Sequence, residues 1–348
     1  MKKSLLALSI LGAFAGVAQA QTNVTMYGVA DAGFVRLDNG TGKISKLDSG
    51  VYSGSRLGFK GTEDLGGGLQ GLFVLETGIN IDAGGFPGGL AFGRQAYVGL
   101  GGNFGSVKLG RQQTFSYYAQ AAIDPFGIGL AGDSTKFFGG ATRLNNTVKF
   151  ESANLSGLTF GASHSFGEQV PVGATSAESN GANNAVSVQY NNGPIFVQSF
   201  YEQSKALLPS NTVTKVFNAG GTYDFGVAKA HLMFDRVKTD GATLAGTNYR
   251  NALIGASIPF GASTFLVDYI KRTDKAANAD AKQYAIGYTY AMSKRTTLYT
   301  SYSRVTNDSG IALGTVGTPS TTPLAPTNLN AVNGQAFKNF DVGVRHSF

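Results

Sequence analysis

The side chains able to do covalent chemistry are sparse in this 348-residue sequence and form no catalytic set. Cysteine is absent, and the three histidines, His164, His231 and His346, belong to no HExxH motif or nucleophile elbow. The stretch Gly66–Gly71 has the GxGxxG spacing of dinucleotide-binding loops, but strand-like segments flank it where a helix would have to follow. We therefore expect no enzyme activity, no cofactor and no metal site.

Arg56 and Lys60 are charged residues whose chemistry would be electrostatic. Residues four apart in a strand lie on one face, and Leu57 and Phe59 then occupy the other face. If the apolar face meets a bilayer, a charge on that face costs about 2–4 kcal/mol near the midplane. The spacing therefore predicts that Arg56 and Lys60 point into an aqueous interior, where fixed positive charge favours anions.

The composition favours an extended β-structure as the scaffold for these charges. Charged residues make up 14% of the chain, against about 25% in ordinary soluble domains, while 49 residues are glycine. A mean hydropathy of −0.03 is too low for a bundle of membrane helices. The basic pI of about 9.4 could indicate nucleic-acid binding, but the sequence has no contiguous basic run, so no nucleic-acid partner is expected.

The first twenty residues have the three-part layout of a secretory signal peptide. Met1–Lys3 is basic, Leu5–Val17 is apolar, and small residues allow cleavage between Ala20 and Gln21. The apolar part is too short to span a membrane. We therefore expect Sec-type export and a mature domain of residues 21–348.

The mature chain consists of strand-like runs of about ten residues whose connections alternate between short and long. In the last run, Phe340, Val342 and Val344 alternate with polar residues, which is typical of a strand between two unlike media. Sixteen such runs occur, and the second is assigned to 51–62 after a long link at 38–50. Because tight turns alternate with long links, all short turns lie at one end. This asymmetry predicts an all-β fold, a 16-stranded antiparallel transmembrane β-barrel with short periplasmic turns and long outer loops.

The third long link, residues 114–141, differs from an ordinary outer loop. From Thr114 to Gly132 it contains one charge, Asp124, among aromatic and aliphatic residues. Burial of such an apolar segment lowers the free energy of the folded chain, so we expect an inward-folded third loop. An ordinary exposed loop is the alternative.

Five sequence blocks carry a resemblance to a known family. They are Val24–Asp31, Ser55–Gly66, Gly93–Leu100, Gly105–Gln112 and the terminal Phe348. In the order and spacing of these blocks, the chain resembles the general Gram-negative porins of the β-proteobacterial type, which are trimeric sixteen-stranded outer-membrane channels. The resemblance spans essentially the whole mature chain.

The resemblance implies a constriction at which the third loop narrows the lumen opposite a basic cluster. Arg143, at the start of the strand after the loop, joins Arg56 and Lys60 in that cluster. Asp124 and Asp133 are the acidic candidates on the loop, opposing the basic wall. Asp124 precedes a proline, so a turn-starting role is its alternative.

Arg94 and Arg111 also match basic positions of the family. However, strand parity, the alternation of side chains between the two faces of a strand, places both on the outward face of the barrel. Two explanations are open. Either a bulge at Gly110 or Gly93 turns the side chains inward, or both arginines lie beyond the hydrocarbon.

The resemblance also implies partners. Phe348 is expected to be the signal for the outer-membrane assembly machinery, and the barrel is expected to be a homotrimer. Gly28, Ala30 and Ala32 form a small-residue outward face on the first strand, which would allow close subunit approach. The surroundings would be the outer membrane of a Gram-negative bacterium, with its lipid and lipopolysaccharide.

We therefore expect a passive diffusion channel for small hydrophilic solutes and ions. The basic constriction predicts a moderate preference for anionic over cationic solutes, with neutral solutes also passing. The alternative is an outer-membrane barrel that acts mainly as an adhesin through its long outer loops, above all residues 307–335.

Overall fold

The computed structural model describes residues 23–167, 181–206, 212–241, 247–275, 279–314 and 329–348. The predicted signal peptide, with Ala20 and Gln21, lies outside the described residues, as do parts of several long links. Among the described residues, no helix is both long and apolar enough to cross a membrane.

The described chain is almost entirely strand. The strands are β1 (Asn23–Asp38), β2 (Lys43–Ser49), β3 (Arg56–Gly66), β4 (Leu69–Gly78), β5 (Gln95–Gly102), β6 (Gly105–Gln113), β7 (Arg143–Ser152), β8 (Leu158–Ser165), β9 (Asn183–Asn192), β10 (Ile195–Lys205), β11 (Val213–Asp224), β12 (Lys229–Asp240), β13 (Asn248–Phe260), β14 (Ser263–Asp274), β15 (Ala281–Ala291), β16 (Thr296–Asn307) and β17 (Phe337–Ser347). One α-helix, α1 (Phe115–Ile123), and 3-10 turns at Pro87–Gly89 and Ser134–Lys136 complete the described elements.

The sheet closes on itself because β1 pairs antiparallel with β17, from Val29 opposite Ser347 to Asp38 opposite Lys338. β2 and β3 together fill one position: β2 pairs with residues 32–38 of β1, and β3 pairs with residues 23–29. The seventeen strand segments therefore form sixteen strand positions. The predicted closed 16-stranded antiparallel barrel is confirmed.

The second strand position differs from the prediction. Residues 38–50, assigned to a long link, contain a tight turn and β2, whereas residues 50–55 leave the ladder as an insert. Asp31 holds this insert, because its Oδ2 accepts hydrogen bonds from the Tyr52 and Ser53 backbone N–H groups at 3.1 and 2.7 Å. β2 has only two strongly apolar residues, Ile44 and Leu47, so its alternation is weak in the sequence.

The two faces of the barrel are inverted relative to a soluble protein. Along β12, Leu232 and Phe234 are 58% and 40% exposed, while His231 and Asp235 are buried. The same alternation recurs along the neighbouring strands. Apolar side chains face outward because hydrocarbon surrounds the barrel, and polar side chains face the interior.

The C-terminus completes the seam between the first and last strands. The Phe348 backbone N–H donates to the Gly28 carbonyl at 3.1 Å, and the Gly28 N–H donates to the Phe348 carbonyl at 3.0 Å. The Phe348 ring covers Gly28 so closely that any Cβ there would overlap it. Gly28 is therefore required for the position of this ring.

Deleting Phe348 should lower the amount of folded barrel in the outer membrane. The deletion removes two seam hydrogen bonds, worth about 1–3 kcal/mol together, as well as the ring over Gly28. Gly28→Val should cause a smaller loss, because it displaces the ring and leaves the chain length unchanged. Heat-modifiable mobility on gels of outer-membrane fractions measures both effects, with Val24→Ala as a control on the same strand. Normal levels of the truncated protein would contradict the role of Phe348.

Candidate functional site

The third loop, residues 114–141, begins with a helix that packs on the inner wall. Thr114 caps α1 by accepting a hydrogen bond from the Tyr117 N–H through its side chain. Phe115, Ala119 and Ile123 recur at helical spacing and are buried against β9–β12. An apolar helical face and a capping threonine therefore direct the loop across the barrel instead of outward.

After α1, the loop is held by polar side chains of the inner wall. The Ala131 N–H donates to Ser301 Oγ at 2.8 Å, and the Gly139 N–H donates to Asp235 Oδ2 at 2.8 Å. Farther along, the Ala141 N–H donates to Glu202 Oε1 at 3.0 Å. These wall residues alternate with the lipid-facing apolar residues, so the loop lies inside the barrel.

Phe126 anchors the tip of the third loop. Its side chain is fully buried and packs in a cluster with Leu266 and Tyr299 of the barrel wall. Gly287 leaves room for the ring, because a Cβ at that position would lie 2.7 Å from it. The tip is thus fixed by shape as well as by hydrogen bonds.

Asp124 and Asp133 do not oppose the arginines, contrary to the sequence-based expectation. Both are only 3% exposed. Asp124 accepts hydrogen bonds from the N–H groups of Phe126 and Ser134, both at 2.8 Å, and Asp133 caps a 3-10 turn. The Asp-Pro spacing makes Asp124 a turn residue, which is the alternative interpretation of this position, and its side chain orders the backbone of the loop.

The docking of the third loop should depend on pH through Asp124. Burial, together with the nearby Asp133 carboxylate, raises the pKa of Asp124 to about 6. Because the folded value exceeds the ordinary value, stability is greatest when the carboxyl is protonated and falls as the pH rises from about 4 to about 6. Thermal unfolding in detergent across this range measures the slope. Asp124→Asn should reduce the slope and Asp82→Asn should not, so equal slopes in all three proteins would contradict the assignment.

The insert at 50–55 is a second inward segment that the sequence analysis did not find. The Leu130 N–H of the third loop donates to the Val51 carbonyl at 2.7 Å. The Tyr52 ring packs against Tyr299, with centroids 5.6 Å apart, and the Arg345 guanidinium carbon lies 5.8 Å from the Tyr52 ring centroid. The insert therefore joins the third loop to the wall from which Arg56 projects.

Arg56 and Arg143 lie where the wall meets these two inward segments. The Arg56 guanidinium donates to Ser53 Oγ of the insert, and the Arg143 guanidinium carbon lies 5.6 Å from the Tyr117 ring centroid. Both arginines interact electrostatically with Glu76 on β4. Within the described chain, the Nε atom of each has no hydrogen-bond partner. Both guanidinium groups therefore lie within electrostatic range of one carboxylate, which forms its ion pair with Arg94.

Arg94 and Arg111 lie beside these two residues, and with Arg143 they line one pocket of about 250 Å³. The Arg94 Nε donates to Glu76 Oε1 at 2.7 Å, and the Arg111 Nε donates to the Gly93 carbonyl at 2.7 Å. Together with Arg56 they form a group that we call the arginine cluster: Arg56, Arg94, Arg111 and Arg143.

Strand parity gave the wrong direction for Arg94 and Arg111 for two separate reasons. Arg94 precedes β5, so no ladder sets its direction. At Arg111 the register between β6 and β7 shifts between Gly110 and Gln112, and Gly110 has a φ of +133°. Of the two explanations left open by the sequence, an irregularity of the ladder beside Gly110 is the one observed for Arg111, whose side chain lines the same pocket as Arg94 and Arg143.

Lys60 lies on the same face as Arg56 but apart from the cluster. Its Nζ lies 5.5 Å from the ring centroid of Tyr27, whose hydroxyl donates to Glu76 Oε2 at 3.0 Å. Sequence analysis missed Glu76, although the argument used for Arg56 applies to it. A lone carboxylate in the apolar run of β4 can avoid hydrocarbon only by facing inward.

Comparisons with known proteins agree with this architecture. The family model for the Gram-negative porin matches residues 7–310. The outer membrane porin protein 32 of Delftia acidovorans is 32% identical, with all of both chains covered. An outer membrane porin protein of Bordetella pertussis is also 32% identical, covering 86% of this chain and 93% of the relative.

A solved structure shows the same similarity in three dimensions. The anion-selective porin from Comamonas acidovorans superimposes with a TM-score of 0.83 at 30% identity, covering 94% of this chain and 100% of that one. These relatives do not favour the adhesin alternative. The chain belongs to the Gram-negative porin family, and its barrel is a passive channel of the bacterial outer membrane.

Proposed function

We propose that this channel prefers anions and that small hydrophilic solutes pass between the arginine cluster and the third loop. The observation that carries the proposal is the charge balance at this level: the arginine cluster has four guanidinium groups, and one carboxylate, Glu76, is paired with it through Arg94. The similarity to a structure described as an anion-selective porin supports the same preference.

The ion preference depends on the charges near the narrowest level of the channel and not on the net charge of the chain. Charges on the outer loops are screened within about 8–10 Å at physiological salt, so the net charge of the chain says little about selectivity. Positive groups at the narrowest level instead lower the barrier for anions and raise it for cations. Because Asp124 and Asp133 are buried within the loop, they offer the permeating ion little compensation.

The reversal potential of the purified channel in planar bilayers under a potassium chloride gradient tests this proposal. We expect anion preference that becomes stronger at low salt, where screening weakens. A cation-selective channel, or a preference independent of salt, would show that the arginine cluster does not control permeation.

We further propose that the barrel assembles as a homotrimer. The outward face of β1 carries Ala30 and Ala32, which allow close backbone approach but cover little lipid, whereas the Phe348 ring covers the neighbouring Gly28. Crosslinking and native electrophoresis in mild detergent should show a three-subunit species. Ala30→Leu should weaken this species more than Val186→Leu, a change on the exposed face of β9. Only monomer in the parent protein would contradict the proposal.

A further inference from the structure

A recess lies in the lumen wall on the short-turn side of the arginine cluster. It has a volume of about 320 Å³ and is lined by residues of β1, β3, β4 and β5. On β3, Lys60 lies about 13 Å closer to the tight turn than Arg56, measured along the strand. We call it the lysine recess, after Lys60, and its lining includes Thr25, Thr62, Leu72, Val74 and Tyr97.

The strand register brings the main lining side chains together on one face. Val74 pairs with Lys60 on one side and with Tyr97 on the other. Leu72 shares the face of Val74, since the two lie two residues apart on β4. The intervening strand position faces the other way, because Leu75, next to Val74, is 36% exposed on the outer surface. The four lining side chains therefore point into the lumen.

The apolar part of the recess is unusual for the inner wall. Other inward apolar residues, such as Val216 and Met233, pack in the buried cluster beneath α1. Leu72, Val74 and Tyr97 are instead half-buried, and they belong to neither of the two buried clusters of the described chain. The recess thus presents apolar surface to the water of the channel. Covering that surface with an apolar part of a solute is favourable.

Lys60 adds one positive charge at the edge of this apolar surface. Its Nζ lies 5.5 Å from the Tyr27 ring centroid, which keeps the ammonium group beside the recess. Within the described ranges of the chain, no carboxylate forms an ion pair with Lys60. Lys108 on β6 differs, because its Nζ lies 2.5 Å from Glu151 Oε2. The Lys60 charge is therefore available to a solute.

We propose that the lysine recess binds monocarboxylates with an aromatic body, of which benzoate is the simplest, as they pass along the channel. The carboxylate pairs with the Lys60 ammonium, and the ring covers Leu72, Val74 and Tyr97. A mainly apolar pocket of this size with a few polar groups is typical of sites for small organic molecules. The inference rests on the proposed passage of anions past the arginine cluster and names a class of solute that the channel retains.

Single-channel recordings of the purified protein in planar bilayers with potassium chloride test this proposal. Bound benzoate should lower the chloride conductance, because its ring occupies the lumen and its carboxylate neutralises Lys60. We expect half of the maximal reduction at a concentration about tenfold lower for benzoate than for acetate, which lacks the ring. Benzyl alcohol, which has the ring without the charge, should act more weakly than benzoate.

Two substitutions separate the apolar part of the recess from its charge. Val74→Thr keeps the shape of the side chain and adds a hydroxyl, so it should weaken the benzoate effect about threefold and leave the acetate effect unchanged. Adding Leu72→Thr should abolish the difference between benzoate and acetate. Lys60→Gln should weaken the effects of both carboxylates.

The matched control for the charge is Lys229→Gln, at an inward position of β12 near a tight turn. It removes one lysine away from the recess and should leave the benzoate effect as in the parent. Heat-modifiable mobility on gels shows whether each variant is folded. If the double threonine variant does not fold, Val74→Thr alone still tests the apolar part, because valine and threonine have nearly the same shape.

Three outcomes would overturn the proposal. Equal effects of benzoate and acetate on the parent would mean that the recess does not recognise the ring. An equal effect of benzyl alcohol would mean that Lys60 does not take part. An unchanged benzoate effect in both Val74→Thr and Lys60→Gln would place the binding elsewhere in the lumen.

The reversal potential in potassium chloride alone distinguishes these failures from failure of the proposed anion preference. A parent channel that prefers anions but treats benzoate and acetate alike contradicts only the lysine recess. A parent channel that prefers cations contradicts the proposed function, whatever its response to benzoate.

Discussion

Replacing Arg56 and Arg143 with glutamate should convert the channel from anion preference to cation preference. The parent cluster has four guanidinium groups and Glu76, whereas the double variant would have two guanidinium groups and three carboxylates. A unit charge about 4 Å from an ion contributes about 1 kcal/mol in water. Allowing for distance and screening, we expect the anion-to-cation permeability ratio to fall at least about tenfold.

Reversal potentials under a salt gradient measure this change. Arg56→Ala alone should shift the ratio in the same direction by less. The control carries Lys294→Glu and Arg295→Glu, the same change in net charge at a tight turn far from the cluster. A double variant that still prefers anions, or a control with an equal shift, would place the selectivity elsewhere in the channel.

Phe126→Ala should release the tip of the third loop and raise both the conductance and the open-channel noise. The ring is fully buried against Leu266 and Tyr299, and truncation of a buried phenylalanine costs about 3–5 kcal/mol. That loss falls on the loop, because the closed ladder of strand hydrogen bonds does not include Phe126. The barrel should therefore stay folded while the loop moves more freely.

Single-channel recordings at fixed voltage measure the mean conductance and its fluctuation. Phe86→Ala, at an exposed phenylalanine in the link between β4 and β5, is the matched control and should behave as the parent. Unchanged conductance and noise in Phe126→Ala would mean that the hydrogen bonds of the loop suffice to hold its tip.

Local alternation was enough to predict the barrel but not the direction of every charge. Arg56 lies on β3, so counting from Leu57 and Phe59 predicted its inward direction. The same count failed for Arg111, because the bulge at Gly110 shifts the register, and for Arg94, because no ladder includes it. The alternation of side chains predicts their direction only along a strand whose pairing with its neighbours is unbroken.

The acidic residues that face the arginines were not predictable from local sequence patterns. Asp124 and Asp133 are the acidic residues of the third loop, yet their side chains accept hydrogen bonds from the loop backbone. Glu76 faces the arginines instead. It lies on β4, whose sequence is otherwise mostly apolar and therefore predicts no charged site. Which carboxylate meets which arginine depends on neighbours that lie far away in sequence.

Local sequence patterns were sufficient to predict the fold class, the number of strand positions, the side of the short turns and the inward direction of Arg56. These follow from period-two alternation and connection length, which are local properties of the chain. The path of the insert at 50–55, the burial of Asp124 and the meeting of the four arginines depend instead on contacts between distant parts of the chain. Contacts such as that between Lys136 and Gln283, 147 residues apart, exist only after the barrel closes, so no local pattern can encode them.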